Sequence, residues 1–218
     1  MTKAPTSSFA DFPFFFEGFH GKASASAALL ATQWGPNHDA DVNDVARAAV
    51  ARIVDAELMG FVVPEVFGGT AVGKPEGVDT RAVALIRETL AWADGLLDNA
   101  FVMQGLGSYL ITLEGNDAQK ETYLPGVLSG ERIAAFALTE PGAGSDVAAM
   151  ECHARPTDNG YVLNGEKIYI TNAGIAHQYV VFATVDPTMG RKGISAFVVE
   201  PDDPGFRIEQ TEVIAPHP

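Results

Sequence analysis

ALTEPGAGSD, residues 137–146, gathers two glycines, a proline, two hydroxyls and two carboxylates into ten residues, a mixture that suits a phosphate cradle, a catalytic loop or a solvated turn. The stretch sits where the texture of the chain changes. Upstream, apolar residues recur at helical spacing. Downstream, short runs rich in β-branched and aromatic residues alternate with turn dipeptides. Working outward from this loop gives a fold of class α+β, with an all-helical half to about residue 130 followed by an antiparallel β half.

Upstream, DADVNDVARAAVARIVDAELMG (39–60) carries apolar residues at Val42, Val45, Ala46, Ala49, Val50, Ile53 and Val54, one face of a helix. Asp39 or Asp41 can cap its start, and Gly60 stands where a C-terminal cap glycine belongs. DTRAVALIRETLAWAD (79–94) is a second helix, capped by Asp79 or Thr80. NAFVMQGLGSYLITLEG (99–115) is apolar nearly all round and reads as a central, buried helix. NDAQKETYLPGVLSGE (116–131) gives a short helix capped by Asn116 and halted by Pro125. Downstream, RIAAFALTE, QYVVFATVD, ISAFVVEP and FRIEQTEVI read as strands, and Asn159-Gly160 and Asn164-Gly165 as tight hairpin turns. The boundaries expected are an N-terminal arm at 1–35, a helical domain at 36–130 and an incomplete β domain at 131–218. The phenylalanines at 9, 12, 14, 15, 16 and 19 are expected to pack on the body of the protein or on a partner subunit.

Composition narrows the chemistry. A formal net charge of −14 opposes binding to nucleic acid or to a bare anionic membrane, since either needs clustered Lys and Arg. A phosphate-bearing ligand must then be held by backbone N–H groups and a few placed cations. The single cysteine, Cys152, allows no intrachain disulfide and no cysteine-based metal site, so a reducing, cytoplasmic setting is expected, with Cys152 a packed residue and not a nucleophile. No stretch reaches the ~20 apolar residues of a membrane span. The five histidines have no metal-ligand spacing.

The 137–146 loop itself excludes two familiar cradles. It lacks the Gly-Lys-Ser/Thr end of a P-loop. Gly142 and Gly144 have the first spacing of a dinucleotide fingerprint and Glu166 lies about 20 residues on, but Val147 occupies the third glycine position and no helix opens after the loop to meet a pyrophosphate. From chemistry alone, ligand loop and solvated turn stay open.

Taken together, the motifs are more specific. FALTEPGAGSD closely resembles the signature of the acyl-CoA dehydrogenase family of flavoproteins, and YVLNGEKIYITNAG resembles that family's second signature. MGFVVPEVFGG, GNDAQKETYLPGVLSGE and GISAFVVEPDDPGFRI resemble its other segments, in family order from about residue 40 onward. The resemblance implies a helical domain, then a β-barrel-like middle domain, then a C-terminal four-helix bundle, with FAD bound between the last two. Residue by residue, it implies that Phe136, Ala137 and Leu138 run beside the isoalloxazine ring and that Thr139 bonds its pyrimidine edge. Gly144 and Ser145 would meet the pyrophosphate, Ser145 also lying near the thioester. Tyr169 would pack on the ring where the family often has Trp, and Ile170 and Thr171 would complete the wall, Thr171 donating towards N5. Val102 and Met103 would line the acyl pocket, and Arg191 and Lys192 are candidates for CoA phosphates.

The reaction implied is α,β-dehydrogenation of an acyl-CoA: a base takes the α-proton, the flavin takes the β-hydride, and an electron-transfer flavoprotein-type acceptor follows. The family's base is a glutamate usually in the bundle. No glutamate here matches it, so no catalytic residue is assigned, and Glu140 is read as a loop-stabilising carboxylate. The expectation is a truncated piece of a longer enzyme, weak in FAD binding and inactive alone, that forms a homo-oligomer or takes the bundle from a partner. A related flavin oxidase or monooxygenase, and a non-catalytic interaction module, stay open as alternatives.

Overall fold

The computed structural model describes residues 7–37 and 39–209. Helices come first: α1 (Ser8–Asp11), α2 (Gly18–Gln33), α3 (Val42–Asp55), α4 (Thr80–Ala93), α5 (Gly95–Glu114) and α6 (Asp117–Ser129). Five strands follow: β1 (Ala134–Ala137), β2 (His153–Thr157), β3 (Gly160–Asn164), β4 (Gln178–Thr184) and β5 (Ile194–Val199).

The caps account for where the helices start. Asp41 accepts from the Asn43 amide ahead of α3, Asp79 from the Arg81 and Ala82 amides ahead of α4, and Asn116 from the Gln119 amide ahead of α6. Their ends differ from expectation. α3 stops at Asp55 because Glu57 turns left-handed (φ 58°), and Gly60 instead belongs to a short turn whose carbonyl accepts from the Thr70 amide. α6 runs through Pro125 and ends at the left-handed Gly130 (φ 77°). Pro125 is exposed, so the helix carbonyl it leaves unpaired can be solvated and the break does not occur.

The Ala/Ser-rich stretch within the expected arm is a full helix. α2 buries Ala23, Ala27 and Leu30 and packs against α4, where Ala82 is also buried. Small side chains at the crossing let the two helices approach closely. The aromatic residues before it divide. Phe9 and Phe16 pack together, Phe16 and Phe19 lie against His20, and Phe12, Phe14 and Phe15 stay exposed. At the base of this segment His20 is fully buried. It accepts from the Glu17 amide through Nδ1 and so donates through Nε2 to Asp79 at 3.1 Å.

α5 is the central helix. It packs against α3, α4 and α6 on one side and against β1 and β4 on the other. Gly107 makes the second contact possible: a Cβ there would lie 2.8 Å from the Ala134 Cβ and 3.0 Å from the Ala135 backbone.

The sheet is mixed and, among the described residues, open; it is neither wholly antiparallel nor closed as a barrel. β1 runs parallel to β4, β2 meets the end of β4 in parallel at His153–Thr184, and only β2–β3 and β4–β5 are antiparallel. The two hairpin expectations also shift. Thr157 pairs with Gly160, so the tight turn centres on Asp158-Asn159 and Gly160 opens β3. Asn164-Gly165 makes no hairpin. Gly165 lies against Cys152 with no room for a side chain, and the segment after it is irregular to residue 170 and turns at 171–175 instead of forming a strand. Asn172 fixes that turn. It is buried with φ 68°, donates Nδ2 to the Ala134 carbonyl, and accepts the Ile175 and Ala176 amides on its own carbonyl. Phe206–Glu209 of the last expected strand have no regular structure, and its remainder lies outside the described residues.

Candidate functional site

Strand β1 ends at Ala137 and hands the chain to the 137–146 loop. Alternation along the strand separates its residues. Ala135 and Ala137 pack with Tyr179 and Val181, whereas Ala134 packs with Val180 and α5's Ile111, and Phe136 meets Phe182 edge-on at 4.9 Å. The Phe136–Ala137–Leu138 run therefore does not present one face: Phe136 and Ala137 lie on opposite sides of the sheet.

The loop is short and firmly anchored. Glu140 and Ala143 exchange backbone hydrogen bonds across Pro141-Gly142. The Glu140 carboxylate turns inward, where it accepts from the Glu151 and Cys152 amides and from Lys167 Nζ at 2.6 Å. Lys167 also donates to the Leu138 carbonyl at 3.0 Å, and the next residue, Ile168, donates its amide to the Thr139 carbonyl at 2.9 Å. Burial pushes the Glu140 carboxyl up, but the Lys167 ammonium and the two amides outweigh it and hold it below the usual carboxylate range. Glu140 is thus a loop-stabilising carboxylate, as expected. Lys167 was missed by the sequence reading, because nothing local to it signals a partner 27 residues away. Cys152 is buried beside this pair, and burial pushes its thiol up, which fits packing and not nucleophilic use.

Beyond Glu140 the loop opens to solvent. Gly142, Gly144 and Ser145 are exposed, Thr139 is half-buried, and among the described residues no acceptor takes the Gly144 or Ser145 amide. Across the clasp, Tyr169 is 77% exposed with φ 57°, a left-handed backbone that is costly for an aromatic residue. Ile170 and Thr171 beside it are half-buried. Free N–H groups, a hydroxyl and an exposed aromatic ring on adjoining loops fit the edge and pyrophosphate of a flavin dinucleotide. Ala137 faces the same hollow as Tyr169, Ile170 and Thr171, whereas Phe136 packs on Phe182 on the other face of the sheet.

Below the sheet lies a cavity of about 2480 Å³, reached by Ala137, Tyr169, Ile170 and Thr171 and walled by Leu163, Val181, Phe197 and Phe206. It exceeds the ~300–1,000 Å³ of ordinary ligand pockets and is the hollow side of the open sheet. The structure does not bring the other expected residues to it. Val102 is half-buried on α5 and Met103 is buried there. Arg191 and Lys192 are exposed on the turn Pro187–Gly193. Gln104, next to Met103, is fully buried and accepts the Ala134 amide on its side-chain carbonyl. Among the described residues there is no cluster of three or more metal-ligating side chains, and no helix is long and apolar enough to cross a membrane.

A helical layer, a mixed sheet packed on its central helix, and two clasped loops at their junction define a two-part α+β architecture seen in solved flavoproteins. Residues 23–131 match the acyl-CoA dehydrogenase N-terminal domain and residues 135–215 the acyl-CoA dehydrogenase middle domain. The chain belongs to the acyl-CoA dehydrogenase family. It is 41% identical over 158 residues to an acyl-CoA dehydrogenase of Bacillus subtilis, covering 71% of this chain and 40% of that protein. Among solved structures it is similar to an acyl-CoA dehydrogenase from Bacillus anthracis complexed with FAD (TM-score 0.71, 33% identity, 92% of this chain and 34% of that one). It is also similar to a glutaryl-coenzyme A dehydrogenase in complex with glutaryl-CoA (TM-score 0.78, 29% identity, 90% of this chain and 50% of that one). The chain spans less than half the length of the curated relatives it matches.

Proposed function

We propose that this chain forms the helical and β portions of an FAD-dependent acyl-CoA dehydrogenase that oxidises the α,β-bond of an acyl-CoA thioester. The observation that supports this reading is the clasp between the two loops, one carrying Thr139, Gly144 and Ser145 and the other Tyr169 and Thr171, joined at Thr139–Ile168 and Glu140–Lys167. Bound FAD would supply the hydride acceptor. The chain's own residues bind and orient it: Thr139 at the pyrimidine edge, the Gly144 and Ser145 amides at the pyrophosphate, Tyr169, Ile170 and Thr171 along the ring, with Ala137 and Leu138 at its side and Phe136 backing them from the other face of the sheet. Fixed donors near the pyrimidine stabilise the negative charge that arrives with the hydride, without reorganising.

For the substrate, Ser145 and Arg191 are the exposed polar candidates, Arg191 for a CoA phosphate. Val102 keeps surface on α5 for an acyl chain. Met103 is packed in the helical layer and has weaker support. No residue of this chain is proposed as the base, so 218 residues alone are expected to give no turnover. The bundle would come from a longer chain or a partner within an oligomer, and an electron-transfer flavoprotein-type acceptor would remove the electrons. A lone cysteine, buried and unpaired, suits the cytoplasm.

Purified chain incubated with FAD tests the cofactor reading. Quenched flavin fluorescence, reduced in a Thr139→Ala, Ser145→Ala variant, is the expected result. Absence of any FAD binding by the wild-type chain overturns it.

A further inference from the structure

We infer that Lys167 and Glu140 are positioning residues, a buried ion pair that clasps the 137–146 loop to the 165–171 loop and thereby sets the spacing of the surface a flavin's edge would meet. The consequence for the cofactor rests on the flavin reading above; the clasp itself does not.

The geometry is cumulative. Leu138, Thr139 and Glu140 are each tied to the second loop, the first and third by Lys167 Nζ and the middle one by the Ile168 amide. Glu140 reaches a third segment through the Glu151 and Cys152 amides. The Lys167 side chain is 9% exposed and that of Glu140 4%, so water cannot readily substitute for either partner. A catalytic role for Glu140 has little room, since both carboxylate oxygens are taken by donors of the protein itself. Stability alone is also a poor account. Apolar residues of similar volume often serve a core as well as a buried ion pair. What they cannot do is hold the Leu138 carbonyl and the two amides at fixed places. Both residues therefore act through backbone: Glu140 follows Thr139 directly, and Lys167 precedes Tyr169 by two residues, so a change in the pair moves both edges of the surface without removing a contact from it.

Hydrogen–deuterium exchange on the 218-residue chain, with and without FAD, tests this in the wild type, in Lys167→Met, and in the charge-neutral double variant Lys167→Met/Glu140→Gln. Without FAD, Lys167→Met should raise exchange at the Glu151, Cys152 and Ile168 amides about tenfold or more while α4 and α5 amides keep their protection. The FAD dissociation constant, read by fluorescence quenching, should rise by about tenfold or more, as is usual when groups that orient a site are removed. At saturating FAD the visible circular dichroism of the flavin should change, a signal that a loss of global stability alone would leave in place. If Lys167→Met does not fold by far-ultraviolet circular dichroism, the double variant carries the same readings. Unchanged protection at the three amides overturns the clasp. Opened amides with unchanged FAD affinity overturn the positioning role. A wild-type chain that takes up no FAD overturns the flavin reading and the positioning role with it, while the exchange data still judge the clasp.

Discussion

Two buried carboxylates, Asp79 in the helical half and Glu140 at the junction, do similar chemistry with different partners. Each is nearly sealed from solvent, and each accepts from two backbone amides and a cation. Burial pushes both carboxyls up and the donors outweigh it, so both sit below the ordinary carboxylate range. The cations differ. Arg81 is 42% exposed, also bonds Glu17 and the Phe15 carbonyl, and can turn to water if Asp79 is lost. Lys167 is enclosed. The cost of breaking an ion pair depends on where the surviving charge can go, and at Glu140 it has nowhere to go.

That contrast gives the largest expected effect. Glu140→Ala strands a buried ammonium and two amides and should cost about 3–5 kcal/mol in urea denaturation. Asp79→Ala frees an exposed guanidinium but strands the His20 N–H and uncaps α4, for about 2–3 kcal/mol by the same measurement. An equal or reversed order would break the comparison. Acid sharpens it. A carboxyl whose folded value is depressed contributes fully above its ordinary value and loses that contribution as pH falls through the folded value. Urea midpoints should therefore hold above roughly pH 5 and decline below about pH 4. Glu140→Gln and Asp79→Asn should each flatten part of that decline. Gly107→Val would drive a side chain into Ala134 and Ala135 and should cost about 1–3 kcal/mol by overpacking, while leaving the acid decline as it is. Smallest of all, Phe14→Ser at the exposed tip of the aromatic segment should shift stability by no more than about 0.5 kcal/mol.

The helical half was largely legible because its signals are local. Apolar spacing located α3 and α4, and capping carboxylates chose their first residues. α2 was not legible, since a stripe of alanine and serine carries almost no hydrophobic contrast and only the partner helix gives it meaning. Pro125 misled because a proline's effect depends on whether the orphaned carbonyl can reach water. At the site, the Glu140 role followed from the family resemblance, which leaves it out of the base's place, while its partner Lys167 left no signal in the sequence. The irregular segment after Gly165 and its turn at 171–175 were not legible: Lys-Ile-Tyr-Ile-Thr has the pattern of a strand, but Asn172 spends its side chain on Ala134 and closes the segment with a turn. The mixed sheet escaped for a similar reason, since parallel pairing of β1 with β4 joins segments more than forty residues apart.

Ala134 has a further consequence. Its N–H is taken by Gln104 of the central helix, and its carbonyl by Asn172 of the turn that follows the second loop. A residue whose two backbone groups are held by opposite halves of a molecule works as a rivet. Protease cleavage between Gly130 and Ile133 should therefore not release two independent pieces. The nicked halves should stay together and melt in a single transition, because neither can leave without exposing a strand that the other keeps dry.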